Sequence, residues 1–409
     1  MRKVVVAVLA AVLVAGGAAV AVWRVDAAGG LSASTVASVQ SAPVVHAISC
    51  ASATSCLSVG ASVDAATGAL VPVAHLVDDG ARQTVPVTSP GPAGMPSSLT
   101  GVSCRTAHYC LAVGQYNTAS YGDPLPYAMA WNGTSLSAVA QMPFPPGAYL
   151  DAIGGVSCPA VNRCVVMGLA TGDGSPSSFG DADLVWTWNG RTWSMTVVPS
   201  PAKTDMENFS SIHCTSLTQC MAAGQQIIDS NGNTLPMFDK WNGTSFMPLY
   251  PTLPAGMIYG GFTGISCIAR NHCAAVGTGY GPTMAPITSF LDVWNGRKWS
   301  YTPWVSDTGL GNAQLSGVSC TSVSYCVAVG VEGQLADQQA ATLVWNGDTW
   351  AADAESPSAS GQTTLFDAVS CSSSGVCTAT GLETSGVAAT QPTPVVGQWN
   401  GVDWQTAAP

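Results

Sequence analysis

Charge is scarce in this chain. Lysine, arginine, aspartate and glutamate make up 9% of its 409 residues, and only 12 side chains are basic against 23 acidic. Nucleic-acid binding needs cations clustered on one face, and the absence of such clusters argues against it. Signatures of common hydrolytic centres are also missing. No G-x-S-x-G nucleophile elbow occurs. No H-E-x-x-H occurs, and His46, His75, His108, His213 and His272 show no metal-ligand spacing. No segment carries the periodicity of an amphipathic helix. Disorder is disfavoured from the opposite side, because 47% of the residues are hydrophobic and the aromatics recur at set positions.

What the chain does have is a repeat. Cys50/Cys56, Cys104/Cys110, Cys158/Cys164, Cys214/Cys220, Cys267/Cys273, Cys320/Cys326 and Cys371/Cys377 all read C-x5-C, at a period of 51–56 residues. A period of that size means an array of equal units. The pairs use all 14 cysteines. Complete pairing predicts seven disulfides in an oxidising compartment. Zinc would need four ligands per site, and each unit offers two cysteines and no regular histidine. Closing a ring of about seven residues is worth roughly 2 kcal/mol in the chain-entropy picture.

Each unit reads as four short strands, lettered A to D. An apolar residue five places before the first cysteine (Val45, Leu99, Ile153, Phe209, Phe262, Leu315, Phe366) and a Val/Ile-Ser pair just before it mark strand A. The apolar run after the second cysteine is strand B, and five intervening residues suit a hairpin. The glycine four places after the second cysteine (Gly60, Gly114, Gly168, Gly224, Gly277, Gly330, Gly381) points to a bulge or a close backbone approach. Strand C ends in Trp-Asn-Gly in six units, as at Trp345-Asn346-Gly347, and Asn-Gly between apolar strands is a hairpin signal. Strand D opens three residues later on Trp193, Trp299, Trp350 or Trp404, with Leu136 and Phe246 substituting. The first unit has only Asp78-Asp79-Gly80 at this turn. Four strands in each of seven units predict an all-β, seven-bladed β-propeller with one disulfide per blade. The two turn positions hold ten of the 13 tryptophans, which reads as blade packing and not as a binding surface.

The VSC…CxAVG…WNGxxW unit resembles a group of secreted bacterial repeat proteins over residues 43–409. That resemblance implies the fold and carries no activity. A partial match links the C–D turn to the Asp-box of sialidase-type propellers: Gly190-Arg191-Thr192-Trp193 and Gly347-Asp348-Thr349-Trp350 fit its second half, while tryptophan stands at the aspartate position.

Arg2 and Lys3 precede an apolar run from Val4 to Trp23, followed by the small-residue site Val25-Asp26-Ala27. Residues 1–27 therefore read as a cleaved signal peptide or an uncleaved anchor, with residues 4–23 as the tether. Either way the rest lies outside the cytoplasm. Residues 28–42 read as a linker and 43–409 as the propeller, with repeats starting near 43, 97, 151, 207, 260, 313 and 364.

Strand alternation puts the A–B and C–D turns at one end and the B–C and D–A loops at the other. By this sorting the turn end carries seven cations against four anions, and the loop end one cation against 16 anions. In propellers of the sialidase class the ligand face is the loop end. A sialidase-like site would need arginines there to hold a carboxylate, and none is placed there. Candidate binding residues at the loop end are Asp173, Asp181, Asp183 and Asp229, with Tyr149, Tyr259 and Trp304 as sugar-stacking rings. Calcium on Asp173, Asp181 and Asp183, or on the Asp229 loop, is the one cofactor considered. His213 replaces the serine that precedes the first cysteine elsewhere; if that position faced the channel, an imidazole would stand in a ring of hydroxyls. The expected function is non-catalytic binding or scaffolding of an extracellular protein or cell-surface glycan through the acidic loop face. The alternative is a secreted glycan-active hydrolase or lyase, which would gather two carboxylates at the channel mouth.

Overall fold

A computed structural model describes residues 24–25, 31–32, 44–78, 81–119, 123–172, 182–199, 207–228, 233–253, 256–281, 286–304, 313–333, 339–352, 363–384 and 393–407. Apart from Arg24, Val25, Leu31 and Ser32, the export segment expected at 1–27 and the linker expected at 28–42 lie outside them. Two short strands, β1 (Arg24–Val25) and β2 (Leu31–Ser32), pair with each other. The remainder is seven four-stranded antiparallel sheets, each contiguous in sequence.

Blade 1 comprises β3 (Val44–Ser52), β4 (Ser55–Val63), β5 (Leu70–Asp78) and β6 (Ala81–Val85). Blade 2 is β7 (Ser97–Thr106), β8 (Tyr109–Asn117), β9 (Pro124–Trp131) and β10 (Leu136–Ala138). Blade 3 is β11 (Ala148–Ala160), β12 (Arg163–Gly172), β13 (Ala182–Trp188) and β14 (Trp193–Pro199). Blade 4 is β15 (Glu207–Ser216), β16 (Gln219–Ile227), β17 (Thr234–Trp241) and β18 (Phe246–Leu249). Blade 5 is β19 (Tyr259–Ala269), β20 (His272–Tyr280), β21 (Pro286–Trp294) and β22 (Trp299–Trp304). Blade 6 is β23 (Ala313–Ser322), β24 (Tyr325–Glu332), β25 (Gln339–Trp345) and β26 (Trp350–Ala352). Blade 7 is β27 (Thr363–Ser373), β28 (Val376–Thr384), β29 (Thr393–Trp399) and β30 (Trp404–Ala407). Each A strand packs beside the next, and β27 packs beside β3, so the array closes on itself.

All seven expected disulfides are present, with Cα atoms 3.9–4.0 Å apart. This is closer than the ~4.5–5.5 Å of facing residues in an antiparallel pair. No cysteine is free. Such complete oxidation belongs to a compartment outside the cytoplasm. The second cysteine of each pair opens the run of strand B that is covered on both faces, and it is sealed from water: Cys110 is 2% exposed, Cys164 0%, Cys326 0% and Cys377 1%, with Cys56, Cys220 and Cys273 also buried.

The C–D hairpin forms as its Asn-Gly signal predicts, but as a four-residue loop: Trp345 pairs with Trp350 across Asn346-Gly347-Asp348-Thr349. Only the glycine takes positive φ, 101° at Gly347. The asparagine instead uses its side chain, with Asn346 Oδ1 accepting from the N–H groups of Asp348 (3.0 Å) and Thr349 (2.9 Å). The tryptophans pack inside the blades: Trp345 and Trp350 rings lie 5.5 Å apart, and Trp345 Nε1 donates to Val323 O of its own A–B turn at 3.0 Å. The glycine four places after the second cysteine lies inside strand B and marks a close approach, because a Cβ on Gly330 would overlap Gln314 O of the adjacent strand.

The serine before the first cysteine holds the blades together. Its Oγ accepts the N–H of the first cysteine in the next blade: Cys104 from Ser49 (2.9 Å), Cys158 from Ser103 (3.0 Å), Cys214 from Ser157 (2.9 Å), Cys320 from Ser266 (2.9 Å) and Cys371 from Ser319 (2.9 Å). Cys50 donates to Ser370 at 2.9 Å and closes the circle. The seam between blades 4 and 5 has no such bond, since His213 occupies the serine position; there Ile265 N–H donates to Ser211 Oγ at 3.3 Å. Buried apolar residues form seven clusters, one per seam, and the blade 7–blade 1 cluster is the smallest, with Ile48, Cys56, Val77 and Val396. Replacing Ser319 by Ala removes the acceptor of one seam bond; we expect a loss of about 1–2 kcal/mol, read as a lower urea midpoint at unchanged slope.

Candidate functional site

Two cavities mark opposite ends of the ring. The first, about 550 Å³, lies at the loop end over the inner strands of blades 4 to 7. Its polar wall carries three amides (Asn208, Gln225, Gln314) and two phenols (Tyr259, Tyr280). Tyr280 is hydrogen-bonded to the Gln314 side chain. Hydroxyls complete the wall, and they come from a repeated backbone device. Strand A skips one residue against strand B, between Phe262 and Gly264, Leu315 and Gly317, and Phe366 and Ala368. The skipped residue is bulged out of the ladder, as β-bulges do. Thr263 Oγ1 donates to Leu315 O (2.7 Å) and Ser316 Oγ to Phe366 O (2.8 Å), tying each bulge to the next blade.

At the third of these bulges stands Asp367, the one carboxyl among the described residues of the wall. It is open to water, yet the surrounding wall crowds it, and desolvation raises its pKa to about 6. His46 sits at the corresponding bulge of blade 1, the neighbour of blade 7. Burial lowers its pKa.

The acids that gather most tightly are elsewhere. Asp183, Glu207 and Asp239 are 2%, 6% and 1% exposed, between blades 3 and 4. Desolvation, then the charge of Glu207, raises Asp183 to about 8. Desolvation, then the charges of Glu207 and Asp183, raises Asp239 to about 9. Asp292, on the strand C position equivalent to Asp239, is buried and raised to about 8 by desolvation alone. Neither oxygen of Asp292 has a hydrogen-bond partner. These groups are held neutral at pH 7, and Asp183 is thereby withdrawn from the charge of the loop end. Glu332, also buried, accepts from Gln339 at 2.7 Å.

The second cavity, about 470 Å³, opens at the turn end between blades 4 and 5 and is lined in part by His213, Lys240 and Arg270. Its neighbours desolvate His213 and lower its pKa to about 4.

The architecture is shared with known propellers. The chain superposes on Pyrococcus horikoshii acylaminoacyl peptidase with a TM-score of 0.51 at 8% identity, covering 90% of this chain and 52% of the peptidase. It spans about half of that protein's length. An ulvan lyase, a polysaccharide lyase, also gives 0.51 at 10% identity, covering 86% of this chain and 91% of the lyase. Trypanosoma rangeli sialidase gives 0.46 at 8% identity, covering 93% of this chain and 57% of the sialidase. At these identities the likeness concerns the fold alone. No protein-family model matches the sequence, and no curated protein does.

Of the candidates read from sequence, Tyr259 lies in the loop-end cavity beside Tyr280. Asp183 is shut into a seam. Tyr149 is 44% exposed on β11, in blade 3 and outside the cavity wall. Trp304 ends β22, the outermost strand of blade 5. His213 does not join a channel ring, because the serines it replaces face the next blade and not the lumen. The disulfide cysteines are staples and not ligand groups. Cys110, Cys164, Cys326 and Cys377 are shut inside their blades and reach neither cavity, so no ligand can meet their sulfurs; only Cys220, Cys267 and Cys273 border the turn-end cavity. Asp173, Asp181 and Asp229 lie outside the described residues, and the calcium reading rests on them. Among the described residues no group of three or more His, Cys, Asp or Glu side chains is placed to hold a metal ion. No described helix is long and apolar enough to cross a membrane. Sequence reasoning missed Asp239 and Asp292, and it counted Asp367 among the loop-end acids without singling it out. The first two had a signal: an aspartate two residues before the strand C tryptophan, where blades 2, 3 and 6 have Met129, Trp186 and Leu343.

The buried carboxyls give the protein a pH dependence. Their folded-state pKa values exceed the unfolded 3.8, so their stabilising contribution is complete below about pH 4 and is lost as pH rises to 8–9. His75 and His213, lowered from 6.5 to about 4, act in the opposite sense between those values. Above pH 6.5 only the carboxyls still change, at up to ~1.4 kcal/mol per pH unit each. The melting temperature should therefore fall between pH 6.5 and 8. Asp292→Leu, which installs the blade 6 residue, should raise it more at pH 8 than at pH 5.

Proposed function

We propose that this protein is a non-catalytic binding protein acting outside the cytoplasm, and that its loop-end cavity takes a glycan. The supporting observation is the chemistry of that wall. Amides and phenols that donate and accept, set beside aromatic faces, match the alternation of hydroxyls and C–H faces on a sugar ring. The volume falls in the range of small-ligand sites. Residues 1–27 would serve export or tethering and residues 28–42 the link to the propeller. Calorimetric titration against a panel of cell-surface oligosaccharides tests the reading. Binding should appear for at least one neutral or weakly acidic glycan, and Tyr259→Ala or Gln314→Ala should weaken it about tenfold or more. Absence of binding across the panel would refute it.

One observation favours the glycan-active alternative: Asp367, with its pKa raised to about 6, is suited to donate a proton near neutrality. Hydrolysis ordinarily uses two carboxyls about the scissile bond, and the described wall supplies one. The two readings separate on Asp367→Asn. In a binding protein the variant retains affinity and the parent releases no product. In a hydrolase or lyase the parent generates new reducing ends or unsaturated sugars, and the variant binds without doing so.

A further inference from the structure

The seam between blades 4 and 5 differs from the six others in one way visible in the sequence and several visible only in the fold. His213 replaces the seam serine, so Cys267 lacks the Oγ acceptor that its six counterparts use. The seam opens at the turn end into the 470 Å³ cavity, whose wall includes His213, Cys267, Lys240, Arg270 and Met247. Lys240 reaches across the seam and stands over the Trp294 ring, 4.2 Å from its centroid. Arg270 lies on the blade 5 A–B turn and is exposed.

Among the described residues of the wall, Lys240 and Arg270 stand together with no carboxylate. The charge of Arg270 is felt at Lys240, whose pKa burial and that charge together depress. The carboxyl on the same strand face as Trp294, Asp292, is buried, neutral at pH 7, and without a hydrogen-bond partner. Asp239 points by strand alternation into the opposite seam, with Met237 and Trp241. Two like charges converging on one cavity are an arrangement that folding alone does not favour, and an oxyanion between them would relieve it. The cavity is far larger than an inorganic oxyanion requires. Met247, 56% exposed, offers an apolar surface on its rim.

We propose that this seam cavity binds a small organic anion, with a carboxylate or phosphate group held between Lys240 and Arg270 and the C–H face of its carbon skeleton lying on Met247. The site is at the opposite end of the ring from the loop-end cavity. The test is calorimetric titration of the full chain with glucuronate, glucose 6-phosphate, inorganic phosphate and neutral glucose, at constant ionic strength. Saturable binding of either charged sugar and none of glucose is expected. Glucuronate alone would mark the ligand group as a carboxylate, and glucose 6-phosphate alone as a phosphate. Arg270→Gln, on an exposed turn and harmless to folding, should weaken binding about tenfold, and Lys240→Met, which keeps the stem over Trp294, should do the same. Tyr259→Ala should leave it unchanged. The proposal fails if no anion binds saturably, if glucose binds equally well, or if Arg270→Gln and Lys240→Met retain the parent affinity. It also fails if inorganic phosphate binds as tightly as glucose 6-phosphate, since the contact of the carbon skeleton with Met247 would then contribute nothing.

Discussion

A single hydrogen bond, repeated around the axis, governs this molecule: a serine hydroxyl of one blade accepting the first cysteine N–H of the next. It explains why the residue before that cysteine is serine in six units. The disulfide beside it fixes where that N–H points, because the cysteine is clamped to its partner across the A–B hairpin. Sulfur bridge and seam bond thus act in series, the first setting the blade and the second setting the angle to its neighbour. Small residues follow from the same demand. Gly317 lies against Ala368 and Gly264 against Gly317, with no room for larger side chains between adjoining inner strands.

Burial at the seams has a second consequence, visible in the acids. A blade has two covered faces, so an aspartate inside strand C is buried whichever way it points, while Asp78 at the end of its strand is exposed. Asp239 and Asp292 accordingly lie in seams and are neutral at pH 7, while Asp367, on a bulge, meets water in the channel. Position relative to the seam, more than local sequence, decides which carboxyls carry charge. Asp183, one of the loop-end acids, thus adds no charge to the field a ligand would meet there.

The architecture was legible from Cys50 to Trp404 because its determinants are local and repeat: cysteine spacing, Asn-Gly turns, and the glycine inside strand B. The candidate site was legible only in part. Tyr259 could be placed near the mouth from strand direction. Asp367 could be sorted to the loop end in the same way, but its place on the cavity wall could not be read, since it depends on a bulge that shifts register by one residue without leaving a mark in spacing. Nor could the company of Lys240 and Arg270, which belong to different blades and meet only because the ring brings blade 4 beside blade 5. Contacts within a unit follow from periodicity, whereas contacts between units depend on the non-repeating residues each contributes.

No blade borrows a strand from the other end of the chain; β3–β6 and β27–β30 are each complete, and blade 7 meets blade 1 through Cys50–Ser370 and a small apolar patch. Beginning and end are therefore a matter of where the gene is cut. A circularly permuted version opening at any D–A connection would possess the same seven seams, and duplication of whole units offers an evolutionary route by which such a ring reaches its number.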